Sequence, residues 1–348
     1  MHSPASPPTT ARPRRNGRQH GQPRRGRPRP RTVLLGGLLA GALLAGCSGT
    51  PEPLEVVVEP ASFDLAAGED QRLLVGLFTE ELQLVAHGEV EVQLAYLGDG
   101  SEPSGEIEQV ATATFVPVPG GDVPQDAEGP ALVEDTGTGV YATTVDLDRA
   151  GIWGVRVVGE LADGTPIDGN RRFPVLEEHL VPAPGDEAPR VENATMADLE
   201  AGRVEAVELD SRAQAANAEV AHPHLHEHTV AGSIEAGRPV VVAVATPVYC
   251  RTRFCGPLTD VIAELAGAYD DRADFIHLEV WEDFDTQTLN EAAAAFIQTE
   301  TGGNEPWVFL IGADGRIVER WDNILDLDAL TAELEELPVL PSREAAGS

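Results

Sequence analysis

The sequence contains no lysine and only three cysteines, and both shortages exclude particular classes of protein. All 24 basic residues are arginine, against 58 Asp and Glu. Residues 1–46 hold nine arginines and no acid, so residues 47–348 carry 15 arginines against 58 acids, a net charge of −43. Residues 47–348 are acidic enough to repel the phosphate backbone of DNA or RNA, which excludes nucleic acid as a partner of this part of the chain. Three cysteines are too few for a disulfide-stapled mini-domain, and 42% hydrophobic residues exclude a disordered chain.

Residues 1–46 have the pattern of a secretory signal peptide. A Pro/Arg-rich start leads into the apolar run Val33–Gly46, whose 14 residues are fewer than the roughly 20 that a membrane-spanning helix needs. Its end, Leu44-Ala45-Gly46-Cys47, resembles the lipobox of bacterial lipoproteins. That resemblance implies cleavage before Cys47, acylation of Cys47 and a lipid-anchored protein on the extracytoplasmic face of the cell membrane, with residues 47–53 as tether. An ordinary signal peptide with an incidental cysteine is the alternative.

The length allows about two domains at roughly 150 residues each. Residues 54–176 contain about seven short runs of alternating apolar and polar residues, separated by Gly-, Pro- and Asp-rich turns. With no helical periodicity, they favour an antiparallel β-sandwich. The stretch GVYATTVDLDRAGIWGVRV, residues 139–157, resembles the last strands of immunoglobulin-like modules. We expect Trp153 within it to lie in the core.

A different pattern follows a connector at residues 177–220. In residues 221–340, the continuous apolar run Arg238–Thr246 predicts a strand buried on both faces. Pro257–Ala268 has helical spacing, and further runs complete the order β-α-β-α-β-β-α. This order predicts a mixed sheet covered by helices, and an α+β multidomain protein as a whole.

The order of elements, with a cysteine at the end of the first strand, resembles the thioredoxin fold. Gly185-Asp186-Glu187-Ala188-Pro189 resembles the opening of the exported thioredoxin and peroxiredoxin-like branches, and ATPVYCRTRFCGP stands where the redox loop belongs. Pro306 stands where the family has its cis-proline before a strand. The resemblance covers roughly residues 185–338 and implies redox roles for Cys250, Cys255 and Pro306.

The cysteine spacing departs from the family, because four residues rather than two separate Cys250 from Cys255. Within one helix the two Cα atoms would lie about 8.6 Å apart, beyond the limit of about 7 Å for a disulfide. A reversible disulfide therefore requires an intervening loop and a helix that begins near Gly256. Cys255 would then lie at the helix N-terminus, where the dipole, Arg251 and Arg253 would favour a thiolate. Which cysteine attacks stays open, as does a purely structural disulfide or a pair of free thiols.

Two further departures concern the surroundings of the cysteines. The strand VVVAVAT lacks the acidic residue that thioredoxins bury behind the redox loop as a proton relay, and Tyr249 stands in place of their tryptophan. The Thr-x-x-Cys of peroxidases is also absent, since three residues separate Thr246 from Cys250. A peroxidase is therefore the weaker interpretation.

The segment HPHLHEH predicts a metal site. His222, His224, His226 and His228 alternate, so in an extended segment all four side chains would point to one side, and neutral imidazoles bind copper or zinc. A solvated loop is the alternative. Copper-delivery proteins of the thioredoxin fold use two cysteines and a distal histidine, but the loop before Pro306 has no histidine.

These observations predict a membrane-tethered, extracytoplasmic thiol–disulfide oxidoreductase that requires no cofactor. Its partners would be envelope proteins with thiols or disulfides, and the membrane through the lipid on Cys47. The alternative is a non-enzymatic copper-handling or scaffolding lipoprotein, in which the cysteines form a structural disulfide.

Overall fold

The computed structural model describes most of the chain beyond the signal segment. The described ranges are residues 52–98, 105–119, 129–134, 139–215, 218–298 and 304–341. The signal peptide and Cys47 lie outside them, so both stay predictions. No helix in these ranges is long and apolar enough to cross a membrane.

The N-terminal region is built from ten strands. They are β1 (Leu54–Glu55), β2 (Val57–Pro60), β3 (Gly68–Phe78), β4 (Leu84–Ala86), β5 (Glu89–Tyr96), β6 (Gln109–Pro117), β7 (Ala131–Val133), β8 (Gly139–Leu147), β9 (Gly151–Glu160) and β10 (Pro166–Val175). The seven runs expected from the sequence all lie in these strands, and the run Leu54–Pro60 is split between β1 and β2. The two short strands β4 and β7 were not expected, since three residues are too few to show alternation.

The ten strands form one continuous sheet in the order β1-β10-β9-β5-β6-β8-β3-β4-β7, with β2 paired to β3. Among the described strands of this sheet, only the β1–β10 pair is parallel. The sheet curls, because Ile167 near one end and Val85 near the other pack into the same core. The alternation predicted for β5 is confirmed by burial of Val90, Val92 and Leu94, and Trp153 is a core residue as expected.

The C-terminal region has two further sheets and several helices. Its helices are α1 (Met196–Glu200), α2 (Ala206–Leu209), a 3₁₀ helix (Pro223–His226), α3 (Val230–Glu235), α4 (Cys255–Tyr269), α5 (Glu291–Ala294) and α6 (Leu327–Glu336). Its strands are β11 (Val240–Ala245), β12 (Asp274–Glu279), β13 (Trp281–Asp283), β14 (Thr288–Leu289), β15 (Trp307–Ile311) and β16 (Ile317–Asp322). The predicted order of strands and helices is found, with the α1–α3 helices and the β13–β14 hairpin in addition.

The main C-terminal sheet has the order β12-β11-β15-β16, in which β11 and β12 are parallel and the other pairs antiparallel. Alternation along the strands divides its side chains between two layers of helices. One face packs against α4 and α6, and the other packs against α3 and α5. The fold is therefore mixed α/β, with more sheet than helix.

Both regions belong to one compact unit, Thr50–Ser348. Arg72 of β3 donates through Nη2 to the carbonyl of Ile324 at 2.9 Å and forms an ion pair with Asp322 of β16. Arg320 of β16 reaches back to the buried carboxylate of Asp64 at 2.9 Å. Polar and charged contacts thus join the large curled sheet to the edge strand of the C-terminal sheet.

Candidate functional site

Cys250 and Cys255 form a disulfide at the start of α4. Their Cα atoms are 6.0 Å apart, because residues 251–254 form a loop and the helix begins at Cys255. The disulfide and the loop agree with the sequence prediction, and the helix begins one residue earlier than expected. Within the loop, Arg253 adopts a φ of 69°, in the left-handed region that side chains other than glycine seldom occupy.

The two cysteines differ in their surroundings. Cys255 is fully buried in the core between α4 and the sheet, whereas Cys250 is half-buried. The backbone N–H of Cys255 donates to Sγ of Cys250 at 3.3 Å, and the hydroxyl of Thr252 lies 3.4 Å from the same sulfur. A negative charge that develops on Cys250 would therefore be stabilised by the first amide of a 15-residue helix and by a hydroxyl.

Arg251 and Arg253, predicted to stabilise a thiolate, are both exposed beside the disulfide. Arg251 acts on a neighbouring carboxyl: its backbone N–H and its positive charge both lower the pKa of Glu305. No measured contact links either guanidinium with a cysteine sulfur in the described residues. Their effect on the thiols stays a prediction.

Glu305 is a candidate functional residue that no sequence pattern indicated. A carboxylate oxygen of Glu305 and the two cysteine sulfurs lie within 4.8 Å of one another. Burial raises the pKa of Glu305 to about 7, and this effect exceeds the opposing effect of Arg251. The following peptide bond, Glu305–Pro306, is cis, as the position of Pro306 predicted. A carboxyl that exchanges protons near neutral pH thus lies beside the disulfide.

A second buried carboxyl, Glu279, lies at the end of β12. It accepts a hydrogen bond from the backbone N–H of Ser211 at 2.8 Å and another from that of Val280 at 3.0 Å. Burial raises its pKa to about 7 despite these hydrogen bonds, and its charge in turn raises the pKa of Glu305. The two carboxyls are therefore electrostatically linked.

An aromatic cluster includes Tyr249, the residue before Cys250. The ring of Tyr249 stacks on that of Phe284 with centroids 3.8 Å apart, and Trp281 meets Phe284 edge-on at 5.5 Å. Exposed acids, Glu282 and Asp283, belong to the same hairpin. The half-buried cysteine therefore lies next to an acidic surface with an aromatic patch.

The loop between the cysteines contacts the large N-terminal sheet. Phe254 packs against a buried cluster that contains Leu74 of β3, Val140 of β8 and Ile324. The N-terminal sheet thus supports the loop that brings the two sulfurs together.

The four histidines do not form an extended segment, because Pro223–His226 is a 3₁₀ helix. The expectation that all four side chains point to one side is therefore wrong. Three residues per turn send successive side chains in different directions. His222 contacts the carboxylate of Asp260 at 2.8 Å, and His224 lies 3.3 Å from the carbonyl of Ala263. His226 instead points into the core, and His228 is half-buried at the end of the segment.

His226 meets two ligand-type residues that the sequence analysis did not connect with it. Ligand atoms of Asp210, His226 and His277 lie within 4.8 Å of one another, and all three residues are buried. His277 lies in β12, and Asp210 lies in the segment interpreted as a connector. No sequence spacing links the three, since they lie 16 and 51 positions apart along the chain.

Comparisons of the chain with protein-family models, curated proteins and solved structures found no match.

Proposed function

We propose that the protein is a thiol–disulfide oxidoreductase whose C-terminal region has a thioredoxin-like fold. The observation that carries the proposal is the disulfide between half-buried Cys250 and buried Cys255 at the start of a helix, with the carboxyl of Glu305 beside it. Reactive cysteines occur where a helix N-terminus favours thiolate, whereas inert structural cysteines are buried without such groups. The sheet covered by helices on both faces supports the fold assignment.

The reaction begins at Cys250, because its sulfur is the accessible one. A partner thiolate attacks Sγ of Cys250, the disulfide breaks, and Cys255 departs as a thiolate. The second partner thiol, after losing its proton, then attacks the mixed disulfide and releases Cys250 as a thiolate. The partner loses two electrons and gains a disulfide, and the protein becomes a dithiol. The same steps in reverse reduce a partner disulfide.

Glu305 would carry the proton in these steps. When Cys255 departs, the protonated carboxyl of Glu305 can donate to its sulfur, which is buried and lies close to the carboxyl. In reverse, the carboxylate of Glu305 accepts the proton of Cys255 before that thiol attacks. A pKa of about 7 suits both directions, since general acid–base catalysis works best when the pKa lies near the working pH.

The partners we propose are envelope proteins with thiols or disulfides, reached from a lipid anchor on Cys47. The acidic, aromatic surface around Tyr249 and Phe284 would favour partner segments with basic residues near the reacting cysteine. The thiol chemistry needs no cofactor, because both electrons pass through the cysteines.

The decisive test is the reduction potential of the Cys250–Cys255 disulfide, together with the rate at which the reduced protein reacts with small disulfides. We expect a potential above about −300 mV and fast exchange, as redox-active pairs show. A lower potential with no exchange would identify a structural disulfide and refute the proposal. Circular dichroism of the oxidised and reduced protein checks that reduction leaves the fold intact.

The second candidate is the copper-handling lipoprotein. It is favoured by the grouping of the Cys250, Cys255 and Glu305 ligand atoms within 4.8 Å, because two thiolates and a carboxylate become available after reduction. A copper(I) titration separates the candidates: stoichiometric binding to the dithiol form, without thiol–disulfide exchange, would favour copper handling.

A further inference from the structure

We propose that Asp210, His226 and His277 bind a divalent transition-metal ion of the zinc type. The three residues come from separate segments: Asp210 follows α2, His226 ends the 3₁₀ helix, and His277 lies in β12. Two imidazole nitrogens and one carboxylate oxygen are a common ligand set for zinc. The inference is independent of the thiol chemistry proposed above.

His226 provides the main evidence. Its side chain is 1% exposed, and neither ring nitrogen has a hydrogen-bond partner. A neutral imidazole has one N–H donor and one lone pair, and leaving both buried and unpartnered is unfavourable. A metal ion would bind one of the two unpartnered nitrogens.

His277 is already oriented as a metal ligand. Its Nε2 lies 3.1 Å from the backbone carbonyl of Ala245, so Nε2 carries the hydrogen and donates it. Nδ1 then holds the lone pair, and this atom is buried without a partner. Metal-binding histidines typically donate their other N–H to a carbonyl or carboxylate in this way. The rings of His277 and His226 are close, with centroids 5.3 Å apart.

The carboxylate of Asp210 is held in place by Arg212. The carboxylate accepts hydrogen bonds from three N–H groups of Arg212, namely the backbone N at 2.9 Å, Nε at 2.9 Å and Nη2 at 2.7 Å. Nε also lies 3.2 Å from the second carboxylate oxygen, so Arg212 contacts both oxygens, and an ion would bind in place of the longest of these hydrogen bonds. Arg212 also pairs with Asp260 at 2.7 Å, which balances its positive charge near the site.

The ligand atoms must approach one another when the ion binds. Zinc–nitrogen bonds of about 2.0–2.1 Å place tetrahedral ligand atoms about 3.3 Å apart, so atoms that now lie within 4.8 Å of one another must approach by up to about 1.5 Å. The bound ion would tie the segment around Asp210 and the histidine-rich segment to β12.

The test is zinc binding to the purified protein with its disulfide intact, so that the thiols cannot serve as ligands. We expect one Zn²⁺ per chain by isothermal titration, no comparable binding of Mg²⁺ or Ca²⁺, and visible absorption bands with Co²⁺ as the probe. His226→Leu should weaken Zn²⁺ binding at least 100-fold. It should leave the melting temperature of the metal-free protein unchanged or higher, since it removes two unpartnered polar atoms.

His222→Leu is the matched control, because His222 lies in the same segment but contacts Asp260 instead. Its Zn²⁺ affinity should stay within about threefold of that of the unmodified protein. His277→Leu provides a second variant, again with at least a 100-fold loss. The proposal is overturned if zinc does not bind, if His226→Leu binds it as tightly as the unmodified protein, or if His222→Leu causes the loss instead.

Discussion

The backbone N–H of Cys255 donates a hydrogen bond to Sγ of Cys250 over 3.3 Å. The donor is the first residue of α4, so the helix dipole and the hydrogen bond act on the same sulfur. The side chain of Cys255 is buried in the core between α4 and the sheet. The two cysteines therefore differ in accessibility and in hydrogen bonding, a difference that the sequence left open. In the proposed reaction, Cys250 would attack or be attacked, and Cys255 would resolve.

The first prediction concerns trapping. Cys255→Ser should accumulate mixed disulfides between Cys250 and envelope proteins, because the resolving thiol is missing and the serine amide can still donate to Sγ of Cys250. Non-reducing gels of acid-quenched cells, followed by mass spectrometry, identify the adducts. In the purified variant, the thiol of Cys250 should titrate below the free-cysteine pKa of about 8.5.

Cys250→Ser is the matched control for that experiment. Its remaining thiol, on Cys255, is fully buried, so it should trap no partner. If both single variants trap nothing and both thiols titrate like free cysteine, the oxidoreductase proposal is wrong.

The second prediction concerns Glu305. Glu305→Gln should slow thiol–disulfide exchange at pH 7 about 10- to 100-fold, because the amide cannot exchange a proton with Cys255. A plot of the exchange rate of the unmodified protein against pH should change slope near pH 7. This bend should disappear in the variant. Stopped-flow exchange with a small disulfide measures both effects.

Glu282→Gln serves as its control, since Glu282 is exposed on the nearby hairpin. It removes a carboxyl near the site but should leave the rate and the bend unaltered. An equal loss in both variants would mean that net charge, rather than proton transfer, sets the rate.

The comparison with the sequence explains why Glu305 was missed. Alternation and helical spacing are local, and they correctly predicted the strands around Val92 and Trp153 and the helix after Cys255. The position of Glu305 depends on register instead: Val244 of β11 pairs with Trp307 of β15 in antiparallel orientation. Residues just before β15 therefore lie beyond the end of β11, where the loop to Cys250 begins. No local pattern contains that pairing.

For the histidines, a local pattern was present but predicted the wrong geometry. Alternating residues lie on one face only if the segment is extended. Here Pro223 begins a 3₁₀ helix, at a position where proline is readily accommodated. The buried partners of His226 come from residues 210 and 277. Tertiary packing brings these residues together, and their spacing along the chain does not, so no local sequence pattern could indicate the group of Asp210, His226 and His277.

The third prediction is the pH dependence of stability due to Glu279. Its pKa rises from 4.5 to about 7 on folding, so the folded state binds more protons than the unfolded state between these values. The contribution of Glu279 to the free energy of unfolding is therefore present below pH 4.5 and declines as the pH rises to 7. Glu279→Gln should remove this decline.

Urea unfolding of both proteins at several pH values between 4.5 and 8 tests the prediction. Relative to the unmodified protein, Glu279→Gln should gain on the order of 3 kcal/mol over this interval, at about 1.4 kcal/mol per pKa unit. A constant difference between the two proteins would show that Glu279 does not titrate on folding.

The fourth prediction tests the lipid anchor. Cys47→Ser should abolish labelling with a radioactive or clickable fatty acid, because only a cysteine can be acylated at the end of the lipobox. Ser48→Ala, one residue later, should be labelled normally. Normal labelling of Cys47→Ser would end the lipoprotein interpretation.

The last prediction compares two ion pairs of different burial. The carboxylate of Asp64 is fully buried and pairs with Arg320, which also donates to the carbonyls of Val181 and Pro182. Burial raises the pKa of Asp64, but hydrogen bonds from His179 and Leu180 and the charge of Arg320 outweigh it, so the carboxyl is ionised. Removing the arginine would leave a buried charge without its main partner.

Arg320→Met should therefore cost about 3–5 kcal/mol of unfolding free energy. Arg156→Met breaks the Arg156–Asp168 pair on the surface of the curled sheet, where the arginine side chain is 49% exposed, and should cost less than about 1 kcal/mol. Chemical unfolding measures both values. Equal costs would mean that Arg320 contributes no more than a surface charge, and that contacts other than this pair join the curled sheet to β16.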